Sequence, residues 1–285
     1  MSKVTAVIPC YNHGQYVDKA VTSIRAQGLD DIEIFIVDDG STAPETISIL
    51  DAYPSEKATV LRKQNGHLSS ARNYGAERAT GEYILGLDAD DFYAPTFLKQ
   101  AVEILDTRPE VGAVTSFTQN FGIRTDRHER KKGGTVTDFL TANPCNASCL
   151  YRKACWEDAG GFDETMKEGY EDWNFWLAVT TKGWAIHSIP DYLLHYYVAA
   201  QSMVVDSDKK RPALMKRLVE NNPEAYRNHM AQVVYDEERK IQDLEQRLNE
   251  VRGSLAYRVG RCLTQPGTVL SGIARRLRNR SENRD

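Results

Sequence analysis

Long apolar runs are missing from this chain of 285 residues: none reaches the roughly 18 residues a membrane-spanning helix needs, so no span is expected. A basic, apolar leader with small residues is missing too, because Met1 runs straight into a strand-like pattern, and the expected compartment is the cytoplasm. Cysteine is sparse. Cys10, Cys145, Cys149, Cys155 and Cys262 are odd in number and contain no Cys-x-x-Cys spacing, which argues against a disulfide framework or a cysteine zinc site and fits reduced thiols. Positive charge is lacking where a nucleic-acid binder needs it. From Arg252 to Asp285 eight arginines face two acids, a balance of +6, so the net charge of -4 leaves -10 on residues 1–251. An acidic body excludes a nucleic-acid face as its main business, and no nucleic-acid partner is expected.

The chain does have enough apolar residues, 41%, for one sizeable α/β core with an appendage. Val4 to Pro9 and Ile32 to Val37 are β-branched runs around a helical pattern with Val17, Ala20, Val21 and Ile24 on one face. The scheme repeats with a strand at 59–61, a helix at 70–79 and a strand at 82–87. Such alternation predicts a mostly parallel central sheet flanked by helices, with ligands at the carboxyl ends of the strands. An amphipathic helix at 97–105, strands at 111–117 and 147–152, a turn at 136–140 and a helix through 173–181 follow. The charged stretch from Gly122 to Gly134 reads as a mobile loop. The body is expected to end near Val205, leaving 206–285 as a helical extension. There Ile241, Leu244, Leu248, Val251 and Leu255 alternate at spacings of three and four. That is about two heptads of a coiled-coil seam. A homodimer through 230–255 is one reading, and packing back on the body is the other.

The chemistry gathers at strand ends. Leu87-Asp88-Ala89-Asp90-Asp91 places three carboxylates together, more charge than burial tolerates without a cation, and hard divalent metals take such oxygen ligands. Alternate strand residues share a face, so Asp88 and Asp90 can converge on one ligand, Asp90 on Mn²⁺ or Mg²⁺ and Asp88 on a ribose. Capping of the following helix is the competing explanation. Pro9-Cys10-Tyr11-Asn12 ends the first strand and Asp38-Asp39-Gly40-Ser41 the second. Tyr11 offers a stacking face to a base, and Asp39 can accept the N–H of a uracil ring; a plain turn with an N-cap also explains the second segment.

These segments belong to an ordered set: Val7-Ile8-Pro9-Cys10-Tyr11-Asn12; Val37-Asp38-Asp39-Gly40-Ser41; Asn65-Gly66 with Ala71-Arg72-Asn73; Gly81-Glu82-Tyr83-Ile84 leading to Asp88-Ala89-Asp90-Asp91; Gly160-Gly161-Phe162-Asp163-Glu164; and Glu171-Asp172-Trp173. In this order they resemble the family 2 glycosyltransferases of bacterial cell-surface polysaccharide synthesis, over residues 1 to about 205. The resemblance implies an α/β GT-A nucleotide-diphospho-sugar transferase fold, with 1–110 as nucleotide-binding half and 111–205 as acceptor half. It also implies an inverting, metal-dependent transfer from a UDP-sugar donor to a glycan or lipid-linked glycan acceptor. Pro9, Tyr11, Asn12, Asp39, Arg72 and Asp88 resemble the nucleotide-binding positions, Asp90 the metal ligand and Asp172 the catalytic base. A base on the acceptor side, remote in sequence from the metal site, is what direct displacement requires.

The segment Tyr196-Tyr197-Val198-Ala199-Ala200-Gln201-Ser202-Met203 departs from the family pattern, in which Arg and His occupy the places of Tyr197 and Ala199. His195 is the nearest replacement as a metal ligand. The change leaves open a catalytically inactive sugar-nucleotide-binding module. A nucleotidyltransferase ranks lower because no Gly-rich basic loop follows the first strand. Trp156, Tyr170, Trp173 and Trp176 are candidate sugar platforms, although the spacing of Trp173 and Trp176 also suits a core. Apolar residues among the arginines of 257–280 suit a helix lying on an anionic membrane, which would make the protein peripheral on the inner face of the plasma membrane.

Overall fold

A computed structural model of the chain describes residues 3–129, 134–199 and 209–264. The first half is a run of strand–helix units: β1 (Val4–Cys10), α1 (Gly14–Arg25), β2 (Glu33–Asp38), α2 (Pro44–Asp51), β3 (Thr59–Arg62), α3 (His67–Arg78) and β4 (Tyr83–Gly86). All its strand pairs are parallel, in the order β3-β2-β1-β4. Every residue of β1 is buried because helices cover both sheet faces. Ala6, Ile8 and Cys10 share a core with Val17, Val21 and Ile24 of α1. Burying each of the larger aliphatic side chains contributes about 1.5–3 kcal/mol.

The other face receives α3, and Gly75 makes that seat possible. A Cβ at Gly75 would collide with the Val7 side chain and come within 3.2 Å of Val37. Arg72 lies three residues before Gly75 on the same helix, so this close approach also sets where its guanidinium goes. Gly75→Ala is expected to destabilise the protein by about 1–3 kcal/mol through overpacking, although losing a mid-helix glycine alone favours a helix by about 0.5–1 kcal/mol. Urea unfolding measures the balance, and a raised midpoint would count against the close approach.

The second half makes the sheet mixed. It contains β5 (Phe92–Tyr93), α4 (Phe97–Thr107), β6 (Val111–Gly122), β7 (Arg127–His128), α5 (Val136–Phe139), β8 (Cys149–Arg152), α6 (Lys153–Ala159), α7 (Glu171–Thr181) and β9 (Ala185–Val198). Strand β8 runs antiparallel between β4 and β6, β9 runs parallel to β6, and β5 closes the order β3-β2-β1-β4-β8-β6-β9-β5. Pro190-Asp191 looks like a break in the sequence, but the pairing of β9 with β6 steps past both residues at a bulge. Part of the expected loop is ordered by pairing, since Arg127 and His128 lie beside Gln119 and Thr118; residues 130–133 fall outside the described residues.

The compact unit runs from Met1 to Met230, so the body does not end near Val205. Helices α8 (Arg211–Asn221) and α9 (Pro223–Asn228) belong to it: Leu214, Leu218, Ala225 and Tyr226 are buried. The Tyr226 hydroxyl donates to the Leu140 carbonyl at 2.8 Å, and Asn222 Nδ2 donates to Asn174 Oδ1 at 2.8 Å. A second unit covers Ala231–Asp285. Its α10 (Met230–Gly253) has no buried residue, and Ile241, Leu244, Leu248 and Val251 are exposed; α11 (Leu255–Thr264) follows. The basic tail after Thr264 lies outside the described residues, among which no helix is long and apolar enough to cross a membrane.

Candidate active site

The carboxyl ends of β1, β2 and β4 meet where the strand order reverses, the place at which open α/β sheets bind ligands. Pro9 is buried in β1, and Tyr11 beyond it is 48% exposed, leaving its ring face accessible. Asp39 is buried at the end of β2. Its Oδ1 accepts the Lys63 ammonium at 2.7 Å and the Gly66 N–H at 3.0 Å, so the carboxylate is held by one oxygen. Lys63 was not anticipated; only its place just beyond β3 could have pointed to it.

Asn12 ties two loops of the site together. It adopts φ 58°, and its Oδ1 accepts the N–H groups of Thr42 and Ala43, both at 2.8 Å, while its Nδ2 donates to Thr42 Oγ1 at 3.3 Å. This amide clamps the loop after β2 against the loop after β1.

The acidic motif is organised by Arg72, which is 3% exposed. One guanidinium nitrogen meets Asp88 Oδ1 at 2.8 Å and another meets Glu171 Oε1 at 3.0 Å. Burial disfavours the charge, but Asp88 and Glu171 outweigh it and hold the guanidinium firmly protonated. The bridge ties α3, the end of β4 and the first turn of α7 into one unit. Asn73 adds a second tie: Oδ1 accepts the Phe162 N–H at 2.8 Å and Trp156 Nε1 at 3.0 Å, and Nδ2 donates to the Phe162 carbonyl at 2.8 Å. The Gly160-Gly161-Phe162 turn is thereby clipped to α3, and Gly161, at φ +78°, lies too close to Asn73 Oδ1 for a side chain.

Helix α7 starts at a left-handed Tyr170, φ 62°, which aims Glu171 and Asp172 into the crevice. Both carboxylates also profit from the positive helix terminus. Asp172 accepts its neighbour's Trp173 N–H at 2.7 Å on Oδ1 and Asn143 Nδ2 at 3.0 Å on Oδ2. Burial, and then the Glu171 charge, push its carboxyl up to about 6 against the pull of Arg72 and these donors. That value suits a proton acceptor near neutral pH. Trp173 and Trp176 are buried and donate to the Phe139 and Asn146 carbonyls, so they serve the core rather than an acceptor platform.

Burial, and next the Asp88 charge, raise the Asp90 carboxyl above its usual range, while His13 acts against that shift. Asp91 is buried; its Oδ1 accepts the Tyr197 N–H at 2.9 Å and its Oδ2 the Ser148 hydroxyl at 3.2 Å. Crowded carboxyl groups short of positive charge fit a hard divalent cation. Among the described residues no group of three or more His, Cys, Asp or Glu side chains forms a metal cage. The fit is thus to a divalent cation of the kind carried on one or two carboxylates plus substrate phosphates.

His195 does not join this set. Its ring stacks on Phe92 with centroids 4.3 Å apart, and the Lys19 ammonium lies 3.7 Å from the same Phe92 ring. Burial and Lys19 lower the imidazole pKa. Strand alternation turns the next residue, Tyr196, to the opposite face, where Asp91, Asp88, Asp90 and Asp172 add to burial in raising its phenol. The expectation of His195 as a metal ligand is corrected: it belongs to an aromatic wall beside a cation. Residues 200–203 of the divergent segment lie outside the described residues.

A parallel half whose strand ends carry Asp39 and Asp88, joined to a mixed half that carries a separate carboxylate, has the arrangement of the GT-A class of fold. Residues 5–158 match the family model described as "Glycosyl transferase family 2". The chain belongs to glycosyltransferase family 2. An uncharacterized glycosyltransferase of Nostoc sp. is 38% identical over 39% of this chain, which spans only 35% of that relative's length. The uncharacterized glycosyltransferase YwdF of Bacillus subtilis is 27% identical over 77% of this chain and 84% of its own. Among solved structures, S. aureus TarS in complex with UDP-GlcNAc has a similar fold, with a TM-score of 0.60 and 22% identity over 71% of this chain and 60% of that one.

Proposed function

We propose that this protein transfers a sugar from a UDP-sugar to an acceptor hydroxyl with inversion, in cell-surface glycan synthesis. The observation that carries the proposal is the Arg72 bridge, which brings Glu171-Asp172 beside the acidic motif although Arg72 and Glu171 are 99 residues apart. Tyr11 stacks the uracil, Asp39 accepts its N–H, and Asp88 takes the ribose. A metal on Asp90 would neutralise charge growing on the leaving diphosphate. From the other side of the sugar, Asp172 removes the acceptor proton, and one displacement inverts the anomeric centre. The presence of both Asp90 and Asp172 favours an enzyme over an inactive binding module.

The acceptor is read as a glycan or lipid-linked glycan. The basic tail accords with a cytoplasmic protein peripheral on an anionic inner membrane face, and the exposed seam of α10 with a homodimer. UDP-GlcNAc, the ligand of TarS in its crystal structure, is the first donor to try. In a screen of UDP-sugars, UDP release is expected to require Mn²⁺ or Mg²⁺ and to stop with EDTA. Release at full rate in EDTA would remove the metal from the mechanism, and failure to bind any nucleotide sugar would overturn the whole assignment.

A further inference from the structure

Residues 141–148, between α5 and β8, form no helix or strand and belong to none of the six recognised motifs. They touch both sides of the site. At one end Asn143 Nδ2 donates to Asp172 Oδ2 at 3.0 Å, while Asn143 Oδ1 accepts the Cys145 N–H at 3.4 Å. At the other end the Ser148 hydroxyl donates to Asp91 Oδ2 at 3.2 Å and accepts the Asp88 N–H at 3.3 Å, and the Ser148 carbonyl accepts the Tyr93 hydroxyl at 2.6 Å. Between them the Asn146 carbonyl holds Trp176 Nε1 at 3.1 Å, and Asn146 Nδ2 donates to Thr118 Oγ1 at 3.1 Å.

We infer that residues 141–148 are a spacer setting the distance between Asp172 and the Asp88–Asp91 motif, with Asn143 as the positioning residue of the base. This rests on Asp172 being that base. A carboxylate held only through Oδ1 by the Trp173 N–H is free to swing about that bond; the second donor, on Oδ2, sets its plane. Each oxygen keeps a lone pair for an acceptor hydroxyl. A neutral amide suits this task better than a second cation, which would orient the carboxylate but drain its basicity. The charged and titratable groups acting on Asp172 are Glu171 beside it, Arg72 from α3, Cys149 from β8 and Tyr196 from β9. Arg72 is already engaged by Asp88 and Glu171, so Asn143 is the side-chain donor dedicated to Asp172 among the contacts named here.

The sign of the effect follows from the direction of donation. Asn143 stabilises ionised Asp172; without it the carboxyl takes up its proton at higher pH, and activity fails earlier as pH falls. In the 285-residue chain the acid limb of kcat/KM is expected at about pH 6. The nearly isosteric Asn143→Asp should move that limb up by about one unit or more by adding a like charge, with kcat down about tenfold to a hundredfold and the donor KM little changed. Asn143→Ala should move it the same way by less. An unshifted limb in both variants, with only a lower melting temperature, would reduce Asn143 to a structural role while leaving Asp172 as base. Full turnover in Asp172→Asn would instead remove the base assignment.

Discussion

Asp172→Asn is expected to lower turnover by about 10²–10⁴-fold, the range that general-base catalysis supplies, while donor affinity stays near that of the wild type. The substitution keeps the shape of the side chain and its ability to accept the Trp173 N–H, but an amide cannot take the acceptor's proton. Donor affinity is spared because the groups assigned to the nucleotide, Tyr11, Asp39 and Asp88, lie at the ends of β1, β2 and β4 rather than on α7. Steady-state product formation gives the first quantity and calorimetric titration with the UDP-sugar the second. Joint loss of binding and turnover would mean that Asp172 shapes the donor site. Unchanged turnover would mean that another group accepts the proton.

The second large effect is on Arg72. Arg72→Met removes a buried guanidinium from between two acids, leaving Glu171, 7% exposed, and Asp88 without their shared partner. Breaking a buried pair in this way costs about 3–5 kcal/mol. The loss should appear in the urea midpoint, together with a fall in activity as the first turn of α7 comes free of the end of β4. Arg72→Lys should recover only part of either, because a single ammonium cannot reach both carboxylates in the planar fork geometry seen here. A Met variant as stable as the wild type would show that the acids find other partners and that the bridge does not hold the two halves together.

Asn12 and His195 mark the limit of local inference. Asn12 sits in a motif whose position points to a nucleotide, yet its amide is used on Thr42 and Ala43, residues that only the β1–β2 pairing brings within reach. His195 sits one residue from a strand position that does face the carboxylates, and a period of two is unforgiving of such a step. Strand β9 is not legible locally, because Pro190-Asp191 resembles an end until β6 supplies the partner that carries it past a bulge. Helices α8 and α9 fall within the expected helical extension, but their place in the body is not legible locally because their buried positions are few, Leu214 and Leu218 in one and Ala225 and Tyr226 in the other.

By itself the sequence determined the strand–helix alternation of the first half and the placing of Tyr11, Asp39, Asp88, Asp90 and Asp172 at element ends. Those features depend on local periodicity and on residue chemistry, which act over a few neighbours. Only the tertiary structure decided which of these groups face one another, that Arg72 joins Asp88 to Glu171, that Asn143 holds Asp172, and that His195 turns away. The reason is physical: these are contacts across long separations in the chain, governed by strand order, register and the seat of α3 on Gly75, and no local pattern encodes them.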